Sequence, residues 1–367
     1  MRDDIQFLRG IAVLFVVIYH SGLDFLPFGY LGVDIFFVIS GFLITKLVLE
    51  RLESNSFSFL DFYYRRARRL LPALYCTLLF TSALSLLFLT QSQIKDYAYQ
   101  FIGAITFSAN MVLPLQTGYF EAAAEGKPLL HIWSLSLEEQ YYFLLPLALF
   151  LLPKKSRLVV LSLAFIISLS LCYLWMTSVK QDSPFLWMTS FQKYAPLLWK
   201  FGEPSRYEWA FYLLPTRAWE LLVGSICAWF YIYDKPLYIP IWLKRLCLAV
   251  IISFGLINIT PSHPDIEALI VVMATSMLLL GKDNWLPKSA IVKSIEKVGD
   301  WSYSIYLVHW PLFAFAYLSF VGKVPDYISF LIIFSSIILG YWQFKFVETP
   351  FRHKEMGRLF SKWKPIA

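Results

Sequence analysis

The chain has 367 residues, of which 58% are hydrophobic and only 16% are charged. About a quarter of the residues in a soluble domain are charged, so this composition excludes an ordinary soluble protein. Long apolar runs recur along the chain, and each approaches the roughly 20 residues that cross a bilayer as a helix. The net charge of +7 indicates basic inner loops rather than nucleic-acid binding. We therefore expect a polytopic all-α membrane protein.

The apolar runs predict about ten membrane-spanning helices. Lysine and arginine concentrate in alternate connecting segments, and the positive-inside rule places those segments and both termini in the cytoplasm. The predicted helices lie at about 8–27, 31–49, 70–89, 132–152, 157–177, 210–231, 240–258, 265–281, 301–321 and 327–347.

Two further segments do not fit this regular pattern. Residues 97–115 are apolar enough for another span, but counting them would move later basic segments outside, so we expect a re-entrant or surface-lying helix. Residues 178–209 are rich in aromatic residues and lysine; they could cover an outer cavity or form an interfacial aromatic belt. The chain divides into a membrane domain at 1–352 and a basic cytoplasmic tail at 353–367.

The first predicted helix carries a titratable side chain at each end. Arg9 and His20 are eleven residues apart, which places them on one helix face, roughly 16 Å apart along the axis. Ionisable groups in a membrane are costly and often functional, so an anionic ligand bound at Arg9 could extend toward His20. The alternative is that Arg9 anchors the helix at the inner surface and His20 is a hydrogen-bonded packing residue.

The second predicted helix opens with an acidic residue and contains two glycines. Asp34 lies three residues into this helix, and Ser40 follows in mid-span. Gly32 and Gly41 would allow another helix or a ligand to approach closely. Asp34 is a candidate catalytic residue, although an aspartate at a helix N-terminus can also serve only as a cap.

A cluster of four arginines follows on the predicted inner side. Guanidinium groups bind phosphate oxygens through two parallel hydrogen bonds, and they stack on aromatic or base planes. The alternative is an anchor that binds lipid headgroups. Because an anchor needs fewer charges, we favour an anionic cofactor bound by the four residues Arg65, Arg66, Arg68 and Arg69.

The stretch from 129 to 142 is the densest in polar residues. His131, Ser134 and Glu138 are spaced by three and four residues, so they share one helical face. A histidine and a carboxylate near the outer end of a span suit acid–base catalysis. The alternative is a capping arrangement that begins the helix at Ser134 or Ser136. Two aromatic residues of the same stretch, Trp133 and Tyr142, are further candidates.

Later helices add three polar candidates. Arg217 and Glu220 are three residues apart and could simply neutralise each other. His309 lies about eight residues into the ninth predicted span. His263 and His353 fall in loops and are assigned no role. The four cysteines show no metal-ligand spacing, so we expect no metal ion.

Together these stretches resemble the acyltransferase-3 family of bacterial integral-membrane O-acyltransferases, over nearly the whole chain and in the family's order. The resemblance implies an acyl-CoA donor, usually acetyl-CoA, at the cytoplasmic side of the inner membrane. It also implies a hydroxyl acceptor on the outer side, commonly a glycan or lipid-linked glycan such as O-antigen. The stretches are R-x10-H (9–20), GVDIFFVISGF (32–42), FYYRRARRLLP (62–72), LLHIWSLSLEEQYY (129–142), TRAWELLVG (216–224), WSYSIYLVHWP (301–311) and ETPFR (348–352).

The resemblance also implies roles for individual residues. In the family the first-helix arginine and histidine and the arginines of the inner loop are regarded as essential, which carries over to Arg9, His20 and the cluster at 65–69. We expect the arginines to hold the CoA phosphates and His20 to act as general base or to carry the acyl group. Glu138 or Asp34 would orient His20 or deprotonate the acceptor from the outer side.

The motif WSLSLEEQ is typical of family members that carry an extracytoplasmic SGNH esterase-like domain. The chain has no GDS nucleophile motif, so we expect a stand-alone member or a truncated chain. Two other functions stay open at this point: acylation of a small molecule or a lipid by the same chemistry, and a non-enzymatic transporter or flippase. Membrane lipids are expected partners, and the sequence predicts no oligomeric state.

Overall fold

The structure is a computed structural model that describes residues 2–116, 124–177, 206–233, 239–257, 263–281, 285–320 and 323–352. In these ranges every regular element is helical, which confirms the predicted all-α class. Most of the aromatic segment 178–209 and the whole basic tail 353–367 lie outside the described residues.

Fourteen α-helices make up the described part of the chain. A π-helical turn, Phe344–Glu348, joins the last two. The helices are α1 Asp3–Tyr19, α2 Gly32–Glu53, α3 Phe59–Phe88, α4 Gln91–Ile105, α5 Ala109–Val112, α6 Ile132–Leu151, α7 Lys154–Thr177, α8 Arg206–Tyr212, α9 Leu214–Tyr233, α10 Ile241–Leu256, α11 Ile266–Leu280, α12 Ala290–Ser319, α13 Asp326–Gln343 and α14 Thr349–Arg352.

Several predicted helix boundaries are wrong, because polar signals rather than apolar length decide where a helix begins and ends. The first helix ends at Tyr19 instead of near residue 27. Just after this end, the chain turns through Gly22, which has a φ of 68°. His20 is therefore the residue that caps α1. Helix α3 begins eleven residues before its predicted start, at an N-cap where the Ser58 hydroxyl accepts a hydrogen bond from the backbone N–H of Asp61. The arginine cluster is consequently helical.

The segment 97–115 does not form one continuous helix. It comprises the end of α4, a turn at Phe107 with φ of 52°, and the short α5. This break means that the segment does not provide one continuous spanning helix, and its re-entrant or surface-lying position stays a prediction.

Four helical segments of the described chain are long and apolar enough to cross a membrane: Gly29–Glu53, Phe59–Phe88, Lys154–Met176 and Asp326–Arg352. Large apolar side chains on α3 and α7 are exposed, with Leu79 at 71% and Ile167 at 60%. Such faces are stable against lipid and not against water. The structure is thus consistent with a membrane protein, whereas the count of ten spans and the cytoplasmic termini stay predictions.

Two helix pairs pack closely enough that glycine is required at the contact. A Cβ on Gly41 of α2 would collide with the backbone of Leu221 in α9, and one on Gly224 would collide with the backbone of Val38. Helices α1 and α12 meet in the same way, because a Cβ on Gly299 would collide with the backbone of Gln6. This packing fixes α1, α2, α9 and α12 around the polar groups described next.

Candidate active site

A cavity of about 110 Å³ lies among α1, α2, α3, α6 and α12. Its cationic lining consists of Arg9 from α1 and of Arg66 and Arg69 from α3. Arg66 and Arg69 are three residues apart and therefore project from one face of α3. We call this space the arginine cavity. It brings the first-helix arginine together with half of the predicted arginine cluster.

Arg66 and Arg9 differ in how far their charges are compensated. Arg66 donates two hydrogen bonds to Glu139, of 2.5 and 3.2 Å, and its guanidinium carbon lies 3.4 Å from the centroid of the Tyr142 ring. Arg9 is buried and donates to the neutral amide oxygen of Gln6 at 3.2 Å. The charge of Arg66 is thus largely neutralised, and that of Arg9 is paired with no carboxylate among the described residues.

Arg69 presents a donor to the cavity. Its Nε atom is buried and has no hydrogen-bond partner among the described residues. A buried donor without an acceptor costs about 1–3 kcal/mol, and this cost disappears when an anionic ligand supplies the acceptor. Arg9 and Arg69 together therefore place two guanidinium groups without a direct ion pair to a described carboxylate in the cavity lining, and such groups suit phosphates.

Glu138 lies inside the arginine cavity. Its two carboxylate oxygens accept hydrogen bonds from Ser40 at 3.1 Å and from the Tyr142 hydroxyl at 2.9 Å. The capping interpretation of this stretch is wrong, because α6 begins after His131 without a side-chain capping bond. Glu138 shares this cavity with Arg9, Arg66 and Arg69, and its position relative to the membrane stays a prediction.

Arg65 and Arg68 lie apart from the cavity. Arg65 is 62% exposed and pairs with Asp61 at 2.7 Å. Arg68 donates through Nε to the backbone carbonyl of Phe351 at 3.0 Å. The four-residue cluster thus divides by helix face, and only Arg66 and Arg69 of these four line the cavity.

His20 and His309 form a buried pair. The Nδ1 atom of His20 lies 3.1 Å from Nε2 of His309, and Nδ1 of His309 lies 2.7 Å from the carbonyl oxygen of Tyr306. Because a carbonyl oxygen only accepts, His309 carries its proton on Nδ1 and accepts on Nε2 in its neutral form. His20 must then donate from Nδ1, which assigns the basic lone pair of His20 to Nε2.

Polar contacts join the histidine pair to the arginine cavity. Ser134 and Tyr306 both line the cavity, and their hydroxyl oxygens are 2.5 Å apart. The Tyr306 hydroxyl also lies 3.0 Å from the carbonyl oxygen of His131. The His131 ring is buried, forms no hydrogen bond through either nitrogen among the described residues, and lies 5.7 Å from the His309 ring. Three imidazoles therefore lie close to the cavity-lining residues Ser134 and Tyr306 without themselves lining the cavity.

A second buried polar cluster surrounds Arg217. This residue donates to Asp34 at 3.0 Å and to Nε2 of His263 at 3.1 Å, and its Nε atom lies 3.0 Å from Glu220. His263 accepts from Arg217 and therefore donates from Nδ1 to Glu267 at 3.1 Å. Burial lowers the pKa of His263 to about 3, which agrees with a neutral imidazole.

This second cluster corrects the roles predicted for Asp34. Asp34 neither caps α2 nor contacts His20; it is fully buried and paired with Arg217. Arg217 and Glu220 neutralise each other only in part, because two carboxylates share the guanidinium. Trp133 is buried beside this cluster, with its ring 5.8 Å from the Arg217 guanidinium carbon. These residues support the packing of α2 against α9.

Sequence reasoning missed the partners that complete both clusters. Glu139 lies off the helix face shared by His131, Ser134 and Glu138, and His263 falls in a predicted loop, so neither is a candidate from the sequence. Tyr306 precedes His309 by three residues, a spacing that could have indicated its contact. His353 lies outside the described residues. The described residues contain no group of three or more His, Cys, Asp or Glu side chains arranged to hold a metal ion.

Comparison with known proteins adds a family to this geometry. A family model described as an acyltransferase domain matches residues 2–343. A candidate O-acetyltransferase of Staphylococcus aureus (strain COL) is 30% identical, over 98% of this chain and 58% of its own length. The O-acetyltransferase OatA of Staphylococcus aureus (strain NCTC 8325 / PS 47) is 28% identical, over 95% of this chain and 56% of its own.

A candidate membrane-bound transacylase of Komagataeibacter xylinus, BcsY, is 31% identical, over 84% of this chain and 72% of its own length. The chain thus spans less than two thirds of the length of the two Staphylococcus aureus relatives. No solved structure matches the chain.

Proposed function

Because the chain belongs to the acyltransferase-3 family, we propose that it is a membrane O-acyltransferase that transfers an acyl group from acyl-CoA to a hydroxyl group. The observation that carries this proposal is the arginine cavity, whose lining contains three arginines and also Ser134 and Tyr306. Tyr306 contacts His309 of the buried histidine pair through its backbone carbonyl. A transporter or flippase would need no such pair of an anion site and a base.

The acyl-CoA donor suits the arginine cavity because its phosphates are negative and the lining carries guanidinium groups. Arg9 and Arg69 would bind the CoA phosphates, and the buried Nε of Arg69 would gain the acceptor that it lacks. Arg66, held by Glu139 and stacked on Tyr142, offers a planar surface for the adenine base. The thioester would then lie toward Ser134 and Tyr306. Acetyl is the common acyl group of the family, so acetyl-CoA is the proposed donor.

His20 supplies the base. Its Nε2 lone pair would take the proton of the acceptor hydroxyl as the hydroxyl oxygen attacks the thioester carbonyl carbon. The C–S bond then breaks, and the proton passes from His20 to the CoA thiolate, which leaves as the thiol. Alternatively, Nε2 attacks the thioester itself and His20 carries the acyl group. Buried His131, beside His309, is the proposed donor to the carbonyl oxygen as negative charge develops there.

The location and acceptor complete the proposal. We place the protein in the bacterial inner membrane with ten spans and the arginine cavity toward the cytoplasm, as the charge pattern indicates. The acceptor is a glycan or lipid-linked glycan such as O-antigen or another surface polysaccharide on the opposite side.

The donor site is tested by replacing Arg69 with alanine. A charge-assisted hydrogen bond contributes about 1.5–3 kcal/mol, so we expect the Kd for acetyl-CoA to rise by about 10–100-fold. Binding is measured as the increase in thermal stability with acetyl-CoA in detergent. The matched control is Arg245→Ala, since Arg245 is exposed on α10 and its loss should leave the Kd unchanged. Equal Kd values for the native protein and Arg69→Ala would contradict the proposed donor site.

His309 is a positioning residue, and its replacement tests the assigned tautomer. In His309→Phe the Nδ1–H of His20 loses its acceptor, so we expect kcat to fall at least about tenfold with an unchanged Kd for acetyl-CoA. His309→Gln offers a carbonyl oxygen in place of Nε2 and should recover part of the rate. If both variants lose the same activity, His309 contributes packing rather than orientation. The pH dependence of kcat also separates the two roles. We expect it to shift in His309→Phe if His309 orients the His20 tautomer, and to stay unchanged if His309 only packs.

A further inference from the structure

A second cavity lies on the opposite side of the histidine pair. It has a volume of about 400 Å³ and lies between α4, the connection that leads into α6, and the end of α12. Its polar lining is dominated by side-chain amides and carboxylates, namely Gln93, Asp96, Gln100, Gln116 and Glu125. Lys127 and Tyr317 also line it. We call this space the amide cavity. No described residue lines both the amide cavity and the arginine cavity.

The amide cavity is separated from His20 by a single layer of side chains. The Tyr317 hydroxyl lies 2.9 Å from the carbonyl oxygen of His20 and donates to it. Lys127, which also lines the cavity, accepts the indole N–H of Trp310 on its backbone carbonyl at 2.7 Å. The Trp310 ring packs 4.5 Å from the His20 ring. The histidine pair thus lies between the two cavities. Ser134 and Tyr306 stand between the pair and the arginine cavity, and Tyr317 and Trp310 stand between the pair and the amide cavity.

The two cavities differ in charge. Lys127 pairs with Asp96 at 2.8 Å, so the described lining of the amide cavity carries no uncompensated cation. Glu125 adds one carboxylate without an ion pair to a described residue. A net negative lining disfavours phosphates and carboxylates, and it distinguishes this cavity from the space lined by Arg9 and Arg69.

The amide cavity has the chemistry that binds sugars. Amide groups donate and accept hydrogen bonds, as sugar hydroxyl groups do. The amides are held in place, because Gln100 donates to Gln116 at 2.9 Å and Gln116 donates to the backbone carbonyl of Asp96 at 2.9 Å. Tyr317 and Leu318 add an apolar wall against which the C–H face of a sugar ring can pack.

We propose that the amide cavity is the acceptor site and that it binds an uncharged saccharide. This inference rests on the proposed acyltransferase function and adds to it a location and a charge class for the acceptor. Once the Trp310 and Tyr317 side chains that separate the amide cavity from His20 move aside, one sugar hydroxyl reaches His20 and attacks the thioester carbonyl carbon presented from the arginine cavity. The hydroxyl proton passes through His20 to the sulfur, so that the sugar ester and the CoA thiol are the products.

The test compares two sugars that differ only in charge. Acetyl transfer from labelled acetyl-CoA is measured in detergent with methyl β-glucoside and with methyl β-glucuronide, which carries a carboxylate in place of the primary alcohol. We expect kcat/KM to be at least about tenfold higher for the glucoside. Glu125→Gln should reduce this preference several-fold by raising transfer to the glucuronide, and Gln116→Leu should raise the KM for the glucoside. Neither variant should change the Kd for acetyl-CoA.

The controls separate this inference from the proposed function. Glu50→Gln removes an exposed carboxylate remote from both cavities and should leave the preference unchanged. Equal transfer to both sugars, transfer only to the glucuronide, transfer to neither, or no effect of Glu125→Gln would overturn the acceptor assignment. If acetyl-CoA still binds and acylates a crude cell-envelope fraction, the acyltransferase proposal survives that failure. If acetyl-CoA neither binds nor reacts with the envelope fraction, the proposed function itself fails.

Discussion

His20→Ala is expected to lower kcat for acyl transfer by about 10²–10⁴-fold, the usual contribution of a general acid–base group. His20 caps α1 and is held between His309, Trp310 and the Tyr317 hydroxyl. Removing the imidazole removes the lone pair that deprotonates the acceptor, or the atom that carries the acyl group. Arg9 lies roughly 16 Å away along α1 and Arg69 lies on α3, so the Kd for acetyl-CoA should stay near its native value.

The measurement is release of CoA thiol in the presence of a cell-envelope acceptor fraction, together with acetyl-CoA binding followed by thermal stability. A burst of thiol release without acceptor, stoichiometric with the native protein and absent in His20→Ala, would assign His20 as the acyl carrier. Absence of a burst with retained steady-state turnover would assign it as the base. Native turnover in a folded His20→Ala protein would exclude both roles.

Arg217→Met is expected to destabilise the protein by about 3–5 kcal/mol, because it leaves buried carboxylates without their cation. Asp34 and Glu220 are both fully buried against Arg217, and methionine fills similar volume without charge. The same guanidinium donates to His263, which holds the segment before α11. We therefore expect this variant to show the largest loss of stability of those described.

The measurement is the melting temperature in detergent. Arg245→Met, at an exposed position on α10, serves as the matched control and should melt with the native protein. Glu220→Gln should cost less than Arg217→Met, because Arg217 keeps Asp34 as its partner. A native melting temperature for Arg217→Met would mean that this cluster does not stabilise the contact between α2 and α9.

The helix ends show why apolar length predicted the fold class and not the boundaries. Apolar runs near 20 residues predict helices in a membrane, because a helix satisfies its backbone groups within its own segment. Capping residues and glycines, rather than the length of the apolar run, set the ends of a helix. The Ser58 cap begins α3 well before its apolar run. The turn at Gly22 follows the end of α1, before the apolar run of the first predicted helix is complete.

The candidate site was predictable where residues are neighbours on one helix. The spacing of Arg9 and His20 and the shared face of Ser134 and Glu138 follow from 3.6 residues per turn. Ser134 and Glu138 keep that relation in the structure, where both line the arginine cavity. Arg9 lines the same cavity, whereas His20 follows the end of α1 and pairs with His309. Periodicity fixes neighbours along one axis, but it cannot say which other helix faces them.

The sequence by itself determined the all-α class, the family and the identity of the charged residues, because composition, spacing and motif order are written in the chain. Only the tertiary structure decided which of these residues meet. The orientation of α3 places Arg66 and Arg69 in the cavity lining. The packing of α12 places His309 beside His20. Arg217 on α9 pairs with Asp34. These contacts join residues far apart in the chain, and they depend on helix packing that no local pattern specifies.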